Sequence, residues 1–385
     1  MWRHVAANAL TLLVVALVAL AALLGWARNE YLGPGPLSQA ICLKVERGAS
    51  FRSVAQSLAD RGAVAHPYIF KVGADYSGRT GALKAGSYLI RAGAPMAGIV
   101  ETITGSGQST CGTEINYRIG VNGADVRVSE LDPESQKLVE VLKFDPVADG
   151  VPADYARFSE DPDVRLKITV AEGVTSWQVV DTLSRVDFLA GEVPEVPAEG
   201  MLSPQQYEVA KDADRAALLA EMQANQVKAL AELWEGRAEG LPYKTPEEAL
   251  TMASIIEKET GVAAERPLVA SVFINRLRDG MKLQTDPTVI YGLTKGQGVL
   301  GRGLRQSELR SNTPYNTYVI DGLPPGPIAN PGREAIEAAL HPADSKFLFF
   351  VADGTGGHVF AETLAEHNKN VAKWREIEAQ QGQGN

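Results

Sequence analysis

Two carboxylates, Glu257 and Glu259, flank Lys258 at the end of an otherwise apolar stretch, Ala253-Ser254-Ile255-Ile256-Glu257-Lys258-Glu259-Thr260. Burying a charge is costly unless it is paired or neutralised, so acids beside a buried stripe point to a purpose. A carboxyl kept protonated by such a setting can donate a proton, as a general acid must. The chemistry this suggests is cleavage of a glycosidic bond. The alternative is a pair of surface charges near a helix C-terminus, the commoner fate of Glu. Against it, anions are disfavoured at that end of the helix dipole.

The helix that would position them has a marked start. Thr245 suits the N-cap, Pro246 the first helical position and Glu248 the N3 place of a capping box, and Gly261 marks the stop. At about 100° per residue, Ala249, Met252, Ala253, Ile255 and Ile256 form one apolar arc and Lys258 points directly away. The two acids lie on its flanks. Glu259 is slightly nearer the centre, while Glu257, beside Ala253 and Ser254, is expected to be better hydrated. The next predicted helix, Pro267 to Arg278, turns Leu268, Val269, Val272, Phe273 and Leu277 inward, with Asn275, Arg276 and Arg278 outward.

Two further stretches carry candidate binding groups. In Leu283-Gln284-Thr285-Asp286-Pro287-Thr288, Asp286 is either a plain N-cap or a functional acid. Gln284 and Thr285 are polar groups before a helix N-terminus, suited to sugar hydroxyls or an acetamido group. Ser311 to Tyr318, with Asn316 and Tyr318, leads into the Pro- and Gly-rich Gly322 to Gly332. Rigid loops of this kind display binding groups, and Tyr and Asn suit carbohydrate; a purely structural turn is the alternative.

The 385 residues leave room for two or three domains. Val5 to Ala27 is apolar for about 23 residues, enough at 1.5 Å each to cross a bilayer core of about 30 Å. Arg3 and His4 before it keep the N-terminus cytoplasmic and export the rest. A cleaved signal peptide is the other reading, disfavoured by the length of the run. A net charge of −10 argues against nucleic acid as partner. Cys42 and Cys111 either pair in an exported domain or stay buried and free. They and five histidines show no metal-ligand spacing, and there is no phosphate loop or Ser nucleophile elbow.

Along the chain, Tyr31 to Pro36 reads as a short stiff linker. A compact βα unit comes next: a strand at Ile41 to Val45, a helix capped by Ser50 with Phe51, Val54, Ala55 and Leu58 inward, and a helix at Pro67 to Ala74. A strand at Gly86 to Ile90 and a helix at Ala97 to Thr104 complete it, closed by Gly105-Ser106-Gly107. Gly48-Ala49-Ser50 with Val54 and Leu58 aligns without gaps to Gly173-Val174-Thr175 with Val179 and Leu183, evidence for two related modules. Residues 109–166 between them read as an inserted hairpin or connector. A long helix is expected over Ala210 to Gly236, a buried strand at Phe347 to Val351, and a disordered tail over 376–385.

Ala-Ser-Ile-Ile-Glu-Lys-Glu-Thr, Ala270 to Leu277, Leu283 to Gly292, Tyr315 to Tyr318 and Gly322-Leu323-Pro324-Pro325-Gly326-Pro327-Ile328 together closely resemble the MltG (YceG-like) endolytic murein transglycosylases. Phe349 to Gly354 and His367-Asn368 extend the match. It is dense from about Trp234 to Trp374 and looser over 42–108 and 167–220, where the family carries LysM-like modules. Residues 109–166 depart from the family, and Glu199 to Pro204 stand where many members are Trp-rich. The resemblance implies an α+β protein: a transmembrane helix at 5–27 after a cytoplasmic stub, a linker at 28–41, a LysM-like module at 42–108, and a catalytic region at 167–375 that begins with a second LysM-like element. It places the catalytic acid on Glu259, in agreement with the wheel, and substrate contacts on Gln284, Thr285, Asp286, Asn316 and Tyr318. It implies no metal or cofactor, a single-pass inner-membrane location with a periplasmic catalytic domain, peptidoglycan strands as substrate and peptidoglycan synthases (penicillin-binding proteins) as associates. An ordinary muramidase using Asp286 or Glu257, and a non-catalytic wall-binding scaffold, are the rival readings.

Overall fold

The computed structural model describes residues 2–105, 109–161 and 163–382. It is an α+β chain in two compact units. The first comprises Met1–Ile115, Arg127–Phe144 and Asp149–Arg165; the second comprises Asn116–Val126, Asp145–Ala148 and Leu166–Asn385.

The first unit begins with α1 (Trp2–Leu32), which continues five residues past Ala27. The linker expected from residue 28 is therefore helical to Leu32. The chain beyond the helix is pinned, not free: Gly35 N–H donates to Gly93 O (3.1 Å), Gly93 N–H donates to Leu37 O (2.8 Å), and Leu37 joins the core. The next elements are β1 (Ile41–Val45), α2 (Phe51–Asp60), α3 (Pro67–Tyr76), β2 (Gly86–Ile90) and α4 (Met96–Thr104). β1 and β2 pair antiparallel with Ile41 opposite Ile90, and the helices cover them through Phe51, Val54, Leu58, Phe70, Ile99 and Ile103. Alternation of buried and exposed residues along β1 makes it a one-faced strand. Of the expected closing turn, Ser106 and Gly107 lie outside the described residues. Cys42 and Cys111 form a disulfide, with Cα atoms 5.6 Å apart.

The segment 109–166 is built mainly of sheet. β3 (Thr113–Gly120) passes from the first unit into the second, and β4 (Gly123–Asp132) returns. With β5 (Lys137–Phe144) they give the first unit the strand order β5-β4-β3, before the short helix α5 (Ala156–Ser159). In the second unit the order runs β4-β3-β6-β8, with β6 (Arg165–Val170) antiparallel to β8 (Gln206–Val209). Between these strands lie α6 (Ser176–Leu183) and β7 (Leu189–Ala190), which pairs parallel with β9 (Ala213–Asp214).

The two aligned segments share their local geometry. Gly48 and Gly173 have φ of 80° and 79°, a region costly for residues with a Cβ. Ser50 and Thr175 each close a capping box, and Val54, Leu58, Val179 and Leu183 are buried.

The rest of the second unit is helical: α7 (Arg215–Glu235), α8 (Pro246–Glu259), α9 (Arg266–Arg278), α10 (Asp286–Thr294), α11 (Gln306–Leu309) and α12 (Arg333–Leu340). The hairpin β10 (Phe349–Ala352) and β11 (His358–Ala361) precedes α13 (Leu364–Gly382). α7 starts at Arg215, not Ala210, because Asp212 takes a left-handed φ of 61° and Asp214 caps Ala217 N. α13 runs through residues 376–382, expected to be disordered; Glu, Ala and Gln there are good helix formers. β10 is half-exposed instead of buried.

α8 is the central element, packed against α7, α9, α10 and α12. Every residue from Ala249 to Ile256 is buried, so the helix has no solvated side over that stretch. Its hydroxyls bond within the core: Thr251 Oγ1 donates to Glu247 O (2.8 Å), and Ser254 Oγ donates to Thr251 O (2.7 Å) and accepts from Ile328 N (3.0 Å). Ile256→Ala would cost about 2–5 kcal/mol here.

Candidate active site

The last turn of α8 carries both acids. Thr245 caps the helix as expected, accepting from Glu248 N, but Glu248 reaches past the N-cap to Lys244 N–H (2.6 Å). Glu257 is not the hydrated member of the pair. Its side chain is 6 % exposed, accepts from Gly332 N (3.0 Å) and lies 3.9 Å from Arg266, which also bonds Glu172 and Glu334. Lys258, expected to point into solvent, is largely buried and donates to Gly173 O (3.2 Å). The wheel failed on both because Gly332, Arg266 and Gly173, which meet this last turn, come from elsewhere in the chain. What separates the two acids is the charge of their partners. Glu257 sits against a guanidinium, whereas Glu259 Oε1 accepts a hydrogen bond from the neutral hydroxyl of Thr285. Burial raises the Glu259 pKa above the ordinary carboxylate range; the Thr285 bond lowers it, nearby Asp286 raises it, and His358 and Arg276 lower it. Burial also raises Glu257, against the pull of Gly332 N–H and Arg266.

Glu259 opens onto a cavity of about 410 Å³ lined by Phe273, Arg276, Gln284, Thr285, Asp286, Tyr318, Phe349, Phe350, Leu364 and His367. Four of the five expected contact residues are therefore gathered around the acid. Thr285 is the N-cap of α10 yet makes no capping bond, since its hydroxyl is given to Glu259. Asp286, read as either an N-cap or a functional acid, is the first helical residue and accepts from Tyr318 Oη (2.7 Å). Burial, then Asp286, raises the Tyr318 pKa, so the phenol stays protonated. Gln284 is left-handed at φ 50°, a strained conformation of the kind that clusters at functional sites.

Asn316 does not line the cavity. It is fully buried; its Nδ2 donates to Glu308 O (3.1 Å), Leu309 O (3.1 Å) and Ser311 O (2.7 Å), and its Oδ1 accepts from Tyr318 N (3.1 Å). Thr317, beside it, accepts from Thr285 N (3.0 Å) through its hydroxyl and from Gln284 N (3.1 Å) through its carbonyl. This lattice seats Tyr318 opposite Asp286.

Arg276 was expected to face outward, and the structure buries it. Nε donates to Leu348 O (2.7 Å) and Nη1 to Leu283 O (2.6 Å), joining α9 to the segments that carry Phe349 and Gln284. Its guanidinium lies 5.4 Å from the Phe349 ring centre, on which His367 also stacks at 5.2 Å. Burial and Arg276 hold the His367 pKa below the usual imidazole value. The role of Arg276 was hidden because its spacing on a helical wheel does not reveal carbonyls arriving from distant loops. Phe349 and Phe350 stood in the sequence as members of a buried strand, and with His367 as an extension of a family resemblance; none was read as lining the site.

A model of the YceG-like family matches residues 152–373. An endolytic murein transglycosylase of Bacillus subtilis (strain 168) is 49% identical over 125 residues, 32% of this chain and 34% of that protein. One from Streptococcus pneumoniae serotype 2 (strain D39 / NCTC 7466) is 36% identical over 182 residues, 46% of this chain and 32% of that protein. The matched region thus spans about a third of the length of these relatives. A crystal structure of a yceG-like protein from Listeria monocytogenes is 27% identical, with a TM-score of 0.44 over 86% of this chain and 99% of that one. With more than half of its residues matching the family model, the chain belongs to the YceG-like family.

Proposed function

We propose that this protein is a membrane-anchored endolytic transglycosylase that cuts the β-1,4 bond between N-acetylmuramic acid and N-acetylglucosamine in peptidoglycan, leaving 1,6-anhydro ends. The observation that carries this reading is the setting of Glu259: a part-buried carboxyl with a neutral hydroxyl as partner, opening onto a cavity rich in aromatic and hydrogen-bonding groups. The relatives named endolytic murein transglycosylases support it.

In the proposed reaction Glu259 gives its proton to the glycosidic oxygen as the bond from that oxygen to C1 of the muramic acid breaks. The carboxylate so formed takes the proton of the same sugar's C6 hydroxyl while its oxygen bonds to C1. One group serves as acid and then base, and no water is consumed. The internal hydroxyl replaces a positioned water through its high effective molarity. Asp286, on the wall of the same cavity, would stabilise positive charge developing at C1. Gln284 and Tyr318 would hold the sugar, Thr285 would hold the carboxyl, and Asn316 would act by seating Tyr318. Association with peptidoglycan synthases, release of nascent strands, glycan binding by LysM-like modules and an inner-membrane span at α1 belong to the same proposal. The support for the span is that Asn8–Leu32 is long and apolar enough to cross a membrane.

A hydrolytic muramidase is the second reading, favoured by Asp286 lining the same cavity as Glu259. Digestion of purified sacculi with mass spectrometry of the fragments separates the two. Anhydro ends support transglycosylation, and reducing ends refute it. Absence of cleavage would favour a scaffold.

A further inference from the structure

The first unit carries an aromatic stripe that its own core does not use. On α3, Tyr68 is 78 % exposed, Val72 46 % and Tyr76 96 %, while Phe70 and Ala74 on another face are buried. Residues four apart fall on one face of a helix, so these three form a continuous ridge. Monomers scatter exposed apolar residues singly; an ordered ridge marks a contact.

The position of α3 identifies the occupant. Its N-cap His66 meets the ring of Trp26 on α1 at 5.2 Å, edge to face. Further along, the ring of Tyr31 lies against the backbone at Gly73, where an added Cβ would come within 2.2 Å of it. α3 is therefore fastened to the end of α1 at two points. The first of these is where the apolar run gives way to Arg28, Asn29 and Glu30. If α1 crosses a bilayer, a residue touching Trp26 lies at the lipid headgroups, where Tyr and Trp concentrate.

We infer that the Tyr68–Val72–Tyr76 ridge is a membrane-interface contact, seating the first unit on the headgroup layer of the bilayer that α1 enters. The inference rests on reading α1 as a span. Between the two fastening points the chain advances about 7.5 Å along α1 and about 10.5 Å along α3, at 1.5 Å per residue. α3 thus climbs obliquely from the bilayer, by roughly 8 Å from Tyr68 to Tyr76. A headgroup layer is about 5–8 Å deep on each side. Tyr68 and Val72 fall within that layer and Tyr76 at its outer edge.

Photoreactive benzoylphenylalanine placed singly at positions 24, 68, 72, 76 and 139 tests this in the full chain reconstituted into phosphatidylcholine–phosphatidylglycerol vesicles. Mass spectrometry after illumination reads the adducts. Leu24, exposed on α1, reports the span, and Val139, exposed on β5, controls for exposure alone. The expected result is lipid adducts at 24, 68 and 72, a reduced yield at 76 and none at 139. Adducts at 24 but not at 68 or 72 overturn the interface contact and leave the span standing. No adduct at 24 overturns the span, and the contact with it. Lipid labelling at 139 equal to that at 68, or crosslinks from 68 to a second copy of the chain, overturns the assignment of the ridge to lipid.

Discussion

Glu259→Gln replaces the proposed acid with an amide of the same shape that cannot give up or take a proton. Its carbonyl oxygen can still accept the Thr285 hydroxyl, so the fold should hold. Loss of one general acid or base costs a factor of about 10²–10⁴, or about 3–5.5 kcal/mol of barrier. Here one group serves both roles, which places the loss at the upper end. Stability should move the other way. Burial raises the Glu259 pKa, so the stability tied to this group is present below its unfolded pKa and lost as pH rises through the folded one. The variant carries no such loss, and its melting temperature should gain on the parent as pH rises. Glu257→Gln is the control. Its amide still accepts from Gly332 N, and Arg266 keeps Glu172 and Glu334. It should shift stability by no more than about 1–2 kcal/mol and leave turnover per folded molecule near the parent's. Release of soluble fragments from sacculi gives the rates, and thermal unfolding across pH gives the stabilities. An active Glu259→Gln beside an inactive Glu257→Gln would refute the assignment. A melting difference that does not grow with pH would refute the burial argument.

Three further outcomes rest on the same geometry. Thr285→Val removes the hydroxyl whose bond favours the charged form of Glu259; its pKa should rise further and carry the alkaline limb of kcat/KM to higher pH, and an unmoved limb counts against the contact. Asn316→Ala strips the donor from three carbonyls, costing about 2–4 kcal/mol, and should reduce turnover by unseating Tyr318; full activity in the folded variant counts against a positioning role. Reducing the Cys42–Cys111 bridge, which closes a 69-residue separation, should cost up to about 4 kcal/mol of first-unit stability. Cleavage of soluble glycan should persist after reduction, because the described residues that line the Glu259 cavity belong to the second unit.

The elements that could be read from the sequence are those whose ends carry their own chemistry. Ser50, Thr175 and Thr245 start helices where their hydroxyls find a backbone N–H three residues on, and alternation alone marks β1. What could not be read depends on distant chain. The wheel treats α8 as half-solvated, and nothing local announces that α7, α9, α10 and α12 close around it. Arg276 looks like a surface residue until Leu283 and Leu348 supply the carbonyls that satisfy it.

The candidate site shows the same limit in a more useful form. Thr285 and Asp286 have the composition of a helix cap, and capping preferences assign them to it. In the fold neither side chain caps: one hydroxyl goes to Glu259, and one carboxylate receives Tyr318. Gln284, immediately before them, holds a left-handed backbone that glycine would adopt without strain. Two side chains thus make no capping bond and a third residue carries backbone strain, and all three line one cavity. Sequences tend to break local rules where function demands it and to recover the cost elsewhere. The recovery is visible here in Thr317, whose hydroxyl and carbonyl hold the backbone N–H groups of Thr285 and Gln284. A lone part-buried glutamate would admit a purely structural account. A carboxyl held by a hydroxyl that forgoes its capping bond, beside a strained Gln284 and the Asp286–Tyr318 pair, has the preorganisation that the proposed proton transfer would need.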